Sequence, residues 1–532
     1  MRQELSMKKI LVAAFAISLV ATQPASAVSK SPVNGQVCSA SGPKSGMSAN
    51  GVTLYCSRGA DGIYAWHPNR PGQQPTQNQS GPSGGQGQQQ GSNGKLGGKC
   101  SKEGSFAYFN FLLKCDSGKY KYVTSADVPL APSGGFKSRP NWYPTLTQIL
   151  GAPGASEPTC SPSTIKFTKS IIPLDQLASS IPYGAMIGGH VTPIDHAYIG
   201  IKSLYKSPET RTDADYVPVT APANGTITEL SNLGSPTSFR VVIDHGCNIY
   251  SVYMVLNKPS GVLAPFFEKV KSGGAVMPNV KIKAGEEFAR QRDNPMDFNI
   301  FDGTKWLSGF ANVGSYLSQD TWKPYTTDFL PYFSSDIRSA LENVLQRTSA
   351  PRVGKIDYDV VGAASGNWFL DGTNGYGGNF NSAYQIATSQ LPGGVVPGKN
   401  IYSWSHLAIA PHEVDSSKWI FSTGWWKDET GDPVQALMVI SGNKPSPDKL
   451  TAASGIVSYQ LIAPAFEQAD GSVFSATGPR GVGYKVLTTG AVVGVVTLQA
   501  NSDASLSVEI DPNATDPSTK TSFTSAKRLY RR

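Results

Sequence analysis

The sequence has no long apolar segment after its N-terminal region, no Cys-x-x-Cys pair, and no block of Lys and Arg before the final KRLYRR. A membrane-spanning helix needs about 20 consecutive apolar residues, so none is expected beyond the N-terminus. Without cysteines paired at short spacing, a zinc ribbon is not expected either. The net charge of +8 is spread along the chain without a nucleic-acid-binding motif, so nucleic acid is not an expected partner.

Charged residues are scarce as well, at 16% of the chain, whereas Gly and Pro number 55 and 38. This composition favours short strands separated by turns, and we predict a mainly β fold. Domains usually contain about 100–200 residues. The 532 residues of this chain therefore predict several domains.

The N-terminal region has the pattern of a secretory signal peptide. Lys8 and Lys9 precede a nearly continuous apolar stretch over residues 10–22, and Ala25-Ser26-Ala27 matches a cleavage site. We therefore expect residues 1–27 to be removed and the mature protein to be secreted or held at the cell surface.

Six cysteines follow residue 27, an even number that suits disulfides in an oxidising compartment. Residues 28–67 and 99–128 repeat one pattern of Cys, polar turn, apolar-aromatic strand, second Cys and aromatic strand. A unit this small buries little surface, so an internal disulfide is its expected stabiliser. The expected pairs are Cys38–Cys56, Cys100–Cys115 and, between the two that are left, Cys160–Cys247.

A segment rich in Gln, Gly and Ser, residues 68–98, separates the two small modules. Its composition predicts a flexible tether. Small modules on a tether suit binding to a surface, and they suit equally well a role as spacers.

One segment shows clear helical periodicity near residue 340. The apolar positions on one face are Ile337, Ala340, Leu341, Val344 and Leu345. Ser334 or Ser335 is the expected N-cap and Pro351 the expected stop, so a domain boundary is predicted near residue 350.

Beyond this helix, residues 351–532 contain short alternating stretches separated by Gly, Asn and Pro. They predict an antiparallel β barrel or sandwich. His406, His412 and Glu413 could form a metal site, although core and loop histidines are commoner. Five tryptophans could form a sugar-stacking face or simply fill the core; they are Trp368, Trp404, Trp419, Trp425 and Trp426.

Four segments in the middle of the chain form a recognisable framework: residues 188–202, 216–230, 239–256 and 285–302. Together they resemble the lysostaphin-type (LytM-like) zinc metallopeptidases, secreted endopeptidases that cut peptidoglycan cross-bridges. The resemblance implies a peptidase-like β domain of the duplicated hybrid-motif type within residues 140–350.

In that family the zinc ligands come from a His-x-Gly-x-Asp strand and a His-x-His strand, and a Tyr-Ala-His-Leu strand supplies a further His. The resemblance places His196 on the first ligand, but Gly200 stands where Asp belongs and Val255 where the third strand has His. Pro295 and Asp297 take the two positions of the His-x-His strand. It therefore implies a degenerate copy without catalytic residues.

A changed zinc site is the alternative, with His190, Asp195 and His245 as further candidate ligands beside His196 and Asp297. Neighbouring residues in a strand point to opposite faces, so Asp195 and His196 are not expected to ligate together. We therefore expect these side chains to have structural roles and no resident cofactor, with zinc as the open alternative.

Three functions remain open from the sequence. The first is a non-catalytic cell-envelope protein that binds peptidoglycan or another cell-surface glycan. The second is a zinc-dependent peptidoglycan endopeptidase with altered ligands, and the third is a structural surface or interaction protein.

Overall fold

The computed structural model describes residues 135–152, 154–317, 319–373, 375–377, 401–426, 433–475 and 482–532, with residue 132 and the shorter segments 45–47, 53–58, 64–67, 99–100, 106–108 and 112–122. The chain divides into two compact units, residues 1–79 and 80–532. The expected signal peptide (1–27), the linker (68–98) and Cys38 lie outside the described residues. The Cys38–Cys56 disulfide and the predicted domain boundaries therefore stay predictions.

In the first unit, the described residues form a three-stranded antiparallel sheet. Its strands are β1 (Ser45–Met47), β2 (Thr53–Arg58) and β3 (Tyr64–His67), in the order β1-β2-β3. Cys56 lies in the middle strand, opposite Trp66.

The second unit begins with a sheet of the same plan. Its strands are β4 (Phe106–Tyr108), β5 (Leu112–Asp116) and β6 (Lys119–Tyr122), again in consecutive order. Cys115 lies in the middle strand opposite Tyr120 and is bonded to Cys100, which confirms that predicted disulfide. The two sheets thus share one strand order. The sequence repeat predicts the strand that carries the second Cys and the aromatic strand after it, but not the additional first strand of each sheet.

The central part of the second unit contains eleven strands among the residues described there: β7 (Leu177–Ile181), β8 (Ala197–Ile201), β9 (Val217–Thr220), β10 (Gly225–Ser235), β11 (Ser238–Asp244), β12 (Ile249–Leu256), β13 (Lys258–Pro259), β14 (Ala275–Val276), β15 (Val280–Ile282), β16 (Glu287–Gln291) and β17 (Met296–Asp302). The main antiparallel sheet has the order β14-β10-β11-β12-β17-β8-β7, with β15 also paired to β10. A smaller sheet, β13-β16-β9, packs nearby through Phe288 of β16, whose ring lies 4.9 Å from that of Tyr253. The face of the main sheet that carries Tyr253 is therefore packed and buried, not exposed to solvent.

A ten-residue helix borders this sheet. The predicted helix is confirmed as α3 (Ser335–Val344), with Ser334 at its N-cap and Ile337 and Leu341 buried. It does not extend to Pro351 as expected. Its last residue is Val344, and Leu345, which follows, pairs with Ser180 of β7.

Two shorter helices of this region, α1 (Leu146–Leu150) and α2 (Phe267–Val270), are missing from the sequence prediction. A capping box begins α1: Thr145 accepts a hydrogen bond from the Gln148 backbone and the Gln148 side chain accepts one from the Thr145 backbone. This Thr-x-x-Gln pattern is a sequence signal for a helix start.

The predicted disulfide Cys160–Cys247 is also confirmed. Cys247 lies in the turn between β11 and β12, where Gly246, Cys247 and Asn248 all have positive φ angles. The bond therefore joins the segment that leads into the main sheet to a tight turn of that sheet.

The C-terminal part contains a short helix, α4 (Ile401–Trp404), and eleven strands among its described residues: β18 (Gly366–Leu370), β19 (His406–Pro411), β20 (Trp419–Thr423), β21 (Val434–Val439), β22 (Val457–Ile462), β23 (Ala465–Glu467), β24 (Val473–Ser475), β25 (Lys485–Leu487), β26 (Val492–Ala500), β27 (Leu506–Asp511) and β28 (Arg528–Arg531). Eight of them form a closed antiparallel barrel, β18-β19-β20-β21-β22-β26-β27-β28, and the other three form the sheet β24-β23-β25. Of the two predicted architectures, the barrel is the one observed. The fold is mainly β, as predicted.

Part of the outer surface of the barrel is buried as well as its interior. Leu407 and Ile409 of β19 belong to the interior core. Ala408 and Ala410, which alternate with them, pack outside in a cluster that includes Met186 of the central part. No helix in the described part of the chain is long and apolar enough to cross a membrane.

Candidate functional site

The main sheet brings two of the predicted ligands together. Asp297 of β17 pairs in register with Tyr198 of β8, and His196 immediately precedes β8. As a result, His196 Nε2 lies 3.4 Å from Asp297 Oδ2. Both side chains are buried, with 3% and 5% of the residue exposed.

Asp195 holds the other side of the His196 ring. The Nδ1–H group of His196 donates to Asp195 Oδ1 at 3.1 Å, and the indole of Trp322 donates to Asp195 Oδ2 at 3.0 Å. This contact corrects the expectation that Asp195 and His196 point apart, because β8 begins only at Ala197 and neither residue has strand geometry. Asp195, His196 and Asp297 thus form one buried row.

Burial and charge act in opposite directions within this row. Burial disfavours the imidazolium of His196, but the charge of Asp297 and the bond to Asp195 raise its pKa above the usual value. Burial raises the pKa of Asp297 to about 6, and the charge of His196 works against that rise. Each group therefore depends on the other for its ionic form.

His190 lies beside this row and His245 does not. The ring centroids of His190 and His196 are 5.6 Å apart, and burial lowers the pKa of His190 to about 3. His245 donates from Nδ1 to the carbonyl of Asn224 at 3.0 Å and accepts at Nε2 from Ser251 at 2.8 Å. The structure therefore gives His245 a structural role between a loop and β12.

The residues present do not fit a hydrolytic zinc ion. Such a site needs three protein ligands and one open position. His196 Nε2 and Asp297 Oδ1 are buried without a hydrogen-bond partner and could supply two ligands. A side chain at Gly200 would come within 2.9 Å of the Ser179 carbonyl on β7, so the sheet leaves no room for an Asp there. Within the described residues, no group of three or more His, Cys, Asp or Glu is placed to hold a metal ion.

The position expected for a further catalytic His is also altered. Val255 stands there with a φ angle of 58°, in the left-handed region that β-branched residues seldom adopt. Its carbonyl accepts a hydrogen bond from Gln291. The position thus belongs to the packing of β12 against β16 and carries no proton-transfer group.

A covering segment, residues 319–326, lies across the same face of the sheet. Trp322 contacts three parts of this face: its indole binds Asp195, its ring lies 6.4 Å from that of Phe301 on β17, and the guanidinium of Arg240 on β11 lies 4.9 Å from its centroid. The segment is anchored by the Tyr143 hydroxyl, which donates to the Thr321 carbonyl at 2.8 Å. The row of Asp195, His196 and Asp297 is therefore enclosed.

Sequence reasoning missed the residues that enclose the row. They are Trp322, which binds Asp195, and Arg240, which packs against the Trp322 ring. Residues 319–326 carry no motif, and their contacts with residue 195 span more than a hundred positions of the chain. The one sequence signal in this segment is the adjacent pair of an aromatic and a basic residue, Trp322 and Lys323.

The other predicted candidates do not form a second centre. His406 and His412 stand at opposite ends of β19: His406 donates to the Tyr376 carbonyl, and His412 accepts from the Val414 backbone. Tyr484 donates to Glu413. Among the five tryptophans, Trp368 and Trp426 lie in the barrel core and Trp419 packs against it. Trp404 and Trp425 flank Arg528, whose guanidinium lies 3.3 Å from the Trp425 centroid.

Two buried histidines predict a pH dependence of stability. Burial lowers the pKa of His245 to about 4 and that of His406 to about 3. In the unfolded chain both histidines have a pKa near 6.5. Below this pH they therefore become protonated in the unfolded state while they stay neutral in the folded state, until the pH reaches their lowered pKa values. The two histidines therefore contribute a fall in the free energy of unfolding as the pH falls from about 6.5 to 4, by about 3 kcal/mol for His245. Buried Asp297 and Asp320, whose pKa values are raised to about 6, contribute in the opposite direction over this window.

Urea denaturation at a series of pH values measures this fall. Over the same window, the stability of the wild type relative to the variant His245→Gln should fall by about 3 kcal/mol. An equal change with pH in the two proteins would contradict the neutral, buried state of His245.

No model of a known protein family matches the chain, and a search of curated protein sequences finds no significant match.

Proposed function

We propose that this chain is an exported, non-catalytic protein of the cell envelope, in which a lysostaphin-type peptidase framework persists without its zinc chemistry. The observation that carries the proposal is the closed row of Asp195, His196 and Asp297. It offers two metal-ligand atoms rather than three, and Trp322 covers it.

A zinc peptidase has to admit a peptide chain to the open position of the metal, where bound water attacks the peptide bond. Here Asp195, His196 and Asp297 each expose 5% or less of their surface. A substrate would have to displace the covering segment, which is fixed by the contacts of Trp322 and Thr321. This enclosure supports a structural use of the framework.

Export is supported by the signal-peptide pattern of residues 1–27 and by the disulfides Cys100–Cys115 and Cys160–Cys247, which suit an oxidising compartment. Peptidoglycan is the partner we propose. The mature chain keeps an excess of Lys and Arg over Asp and Glu, which favours association with an anionic wall. The two small Cys-containing modules are joined by a segment rich in Gln, Gly and Ser, an arrangement that suits binding to a surface.

The proposal predicts binding to the wall without hydrolysis. The mature protein, mixed with purified peptidoglycan and centrifuged, should sediment with the wall and release no soluble fragments. Its zinc content should be far below one ion per chain, and His196→Ala should change none of these results. Stoichiometric zinc and fragment release, both lost in His196→Ala, would overturn it.

One observation favours the second candidate, a zinc endopeptidase with altered ligands. His196 Nε2 and Asp297 Oδ1 are buried without hydrogen-bond partners, which is the state of atoms that await a ligand. Zinc content separates this candidate from the first. Failure to sediment with the wall, with no zinc bound, would instead favour a structural surface protein.

A further inference from the structure

The small sheet β4–β6 places four lysines on one face. Lys114 of β5 pairs in register with Lys121 of β6, and Asp116 pairs with Lys119 in the same ladder. A further antiparallel bridge joins Lys119 to Lys99. Directly opposed residues share a face of an antiparallel sheet, and so do residues two positions apart along a strand. The four lysines therefore share what we call the basic face, and Asp116 is the one carboxylate among these paired positions.

The disulfide of this sheet belongs to the other face. Cys115 pairs with Tyr120, and these two positions alternate with the lysines along β5 and β6. Cys115 is fully buried, whereas Lys99 and Lys119 are exposed. The sheet thus has one face with a buried disulfide and one basic face with charges in contact with solvent.

Two of the opposed pairs on the basic face have like charges, Lys114–Lys121 and Lys119–Lys99. Like charges directly opposite each other destabilise a sheet. A unit this small buries little surface, so it has little stability to set against the repulsion. Lys99 and Lys119 form no ion pair with any residue in the described part of the chain. An anion lying across the pairs would remove the repulsion.

The residue type and the spacing indicate which anion fits. Among the paired positions of the basic face, the cations are all Lys and none is Arg. Arg is the side chain that binds carboxylates bidentately, whereas Lys binds phosphate as a point charge. Opposed positions lie about 5 Å apart and alternate positions of a strand about 6.7 Å apart. The charges therefore form a patch that suits a polymer with repeated phosphates better than a single ion.

We infer that the basic face of the sheet β4–β6 is a docking surface for a phosphate-linked anionic polymer of the cell envelope. The inference rests on the proposed function, because export brings the protein to such polymers. It does not require binding to peptidoglycan itself. The excess of basic residues is spread over the whole chain, but here four lysines of one face lie within residues 99–121.

The test measures binding of the mature protein to long-chain inorganic polyphosphate at a series of salt concentrations. Lys99→Gln with Lys119→Gln removes two exposed charges, so the affinity should fall by roughly tenfold. The slope of log K against log salt should become shallower by about 1.5, because fewer counterions are released on binding. Lys99→Arg with Lys119→Arg keeps both charges and should bind nearly as tightly as the wild type.

Lys281 and Lys283 provide a matched control. Both are exposed and lie two positions apart, at the end of β15 in the main sheet. Lys281→Gln with Lys283→Gln changes the net charge by the same amount, and it should leave the affinity and the salt slope close to those of the wild type. Equal losses in the two Gln variants would show that net charge alone acts, which would overturn the inference.

Two further measurements keep the test independent of how the variants fold. Lys99→Gln with Lys119→Gln removes a repulsion, so peptide mapping should find the Cys100–Cys115 bond intact. In the wild type, polyphosphate should slow hydrogen exchange in residues 112–122, and absence of this protection would count against the inference. Tighter binding to polyglutamate than to polyphosphate would assign the face to carboxylates and would also overturn it.

Sedimentation with phosphate-free peptidoglycan judges the proposed function separately. A protein that sediments with this peptidoglycan and does not bind polyphosphate would contradict the inference alone. A protein that binds polyphosphate and does not sediment would contradict peptidoglycan as the partner and support the docking surface.

Discussion

Replacing Glu229 with Gln is expected to lower the free energy of unfolding by about 3–5 kcal/mol, because it leaves a buried guanidinium without its counter-charge. Arg240 donates from Nη1 to both carboxylate oxygens of Glu229, at 2.7 and 2.8 Å. Only 5% of Arg240 and 7% of Glu229 is exposed. The remaining Nε and Nη2 groups of Arg240 are buried without hydrogen-bond partners, so its other compensation is the ring of Trp322.

The double variant Glu229→Met with Arg240→Met is the matched control. Removing both charges and keeping most of the side-chain volume should restore stability to within about 1 kcal/mol of the wild type. Equilibrium urea denaturation measures both variants. A loss in Glu229→Gln below about 1 kcal/mol would mean that the pair is solvated and that the covering segment does not seal this face.

This ion pair also bears on the covering segment, since Trp322 rests on Arg240. In Glu229→Gln, we expect faster hydrogen exchange in residues 319–326, because Arg240 no longer keeps a fixed position under the indole. The closed state of the site would then depend on a charge pair between β10 and β11 on the same face of the sheet.

Local features of the sequence predicted local features of the fold. The periodicity of residues 337–345 located α3, and the repeated cysteine pattern identified the Cys100–Cys115 bond. The approach of His196 to Asp297 was expected only through the resemblance, which placed both at ligand positions. The resemblance itself stays a prediction.

The barrel could not be distinguished from a sandwich because both faces of several strands are apolar. In β19, Leu407 and Ile409 point into the barrel, while Ala408 and Ala410 pack against other parts of the chain. The alternation that marks a half-exposed strand is therefore hidden. Closure depends on the pairing of β18 with β28, between residues far apart in the sequence.

The enclosure of the candidate site was unpredictable for a related reason. Glu229 and Arg240 meet only because a bulge between Ile227 and Glu229 shifts the register of β10 against β11. A shift of one residue moves every side chain of a strand to the other face of the sheet. Trp322 reaches Asp195 across 127 positions, and no local pattern encodes that contact.

Removing the Cys160–Cys247 bond, by Cys160→Ser with Cys247→Ser, is expected to destabilise the central part by about 4–5 kcal/mol on the loop-entropy account. The bond closes a loop with a sequence separation of 87, so it restricts the unfolded chain strongly. Calorimetry should show the main unfolding transition at a lower temperature, and a reducing agent should have the same effect on the wild type.

Cys100→Ser with Cys115→Ser is the control for this prediction. That bond closes a separation of only 15, within the small sheet β4–β6, so its loss should destabilise this sheet and leave the main transition in place. An unchanged main transition after loss of Cys160–Cys247 would show that the buried core of the main sheet alone stabilises the central part. A lower temperature for the main transition would show that the folded state of the central part depends on an oxidising environment. Export would place the protein in such an environment.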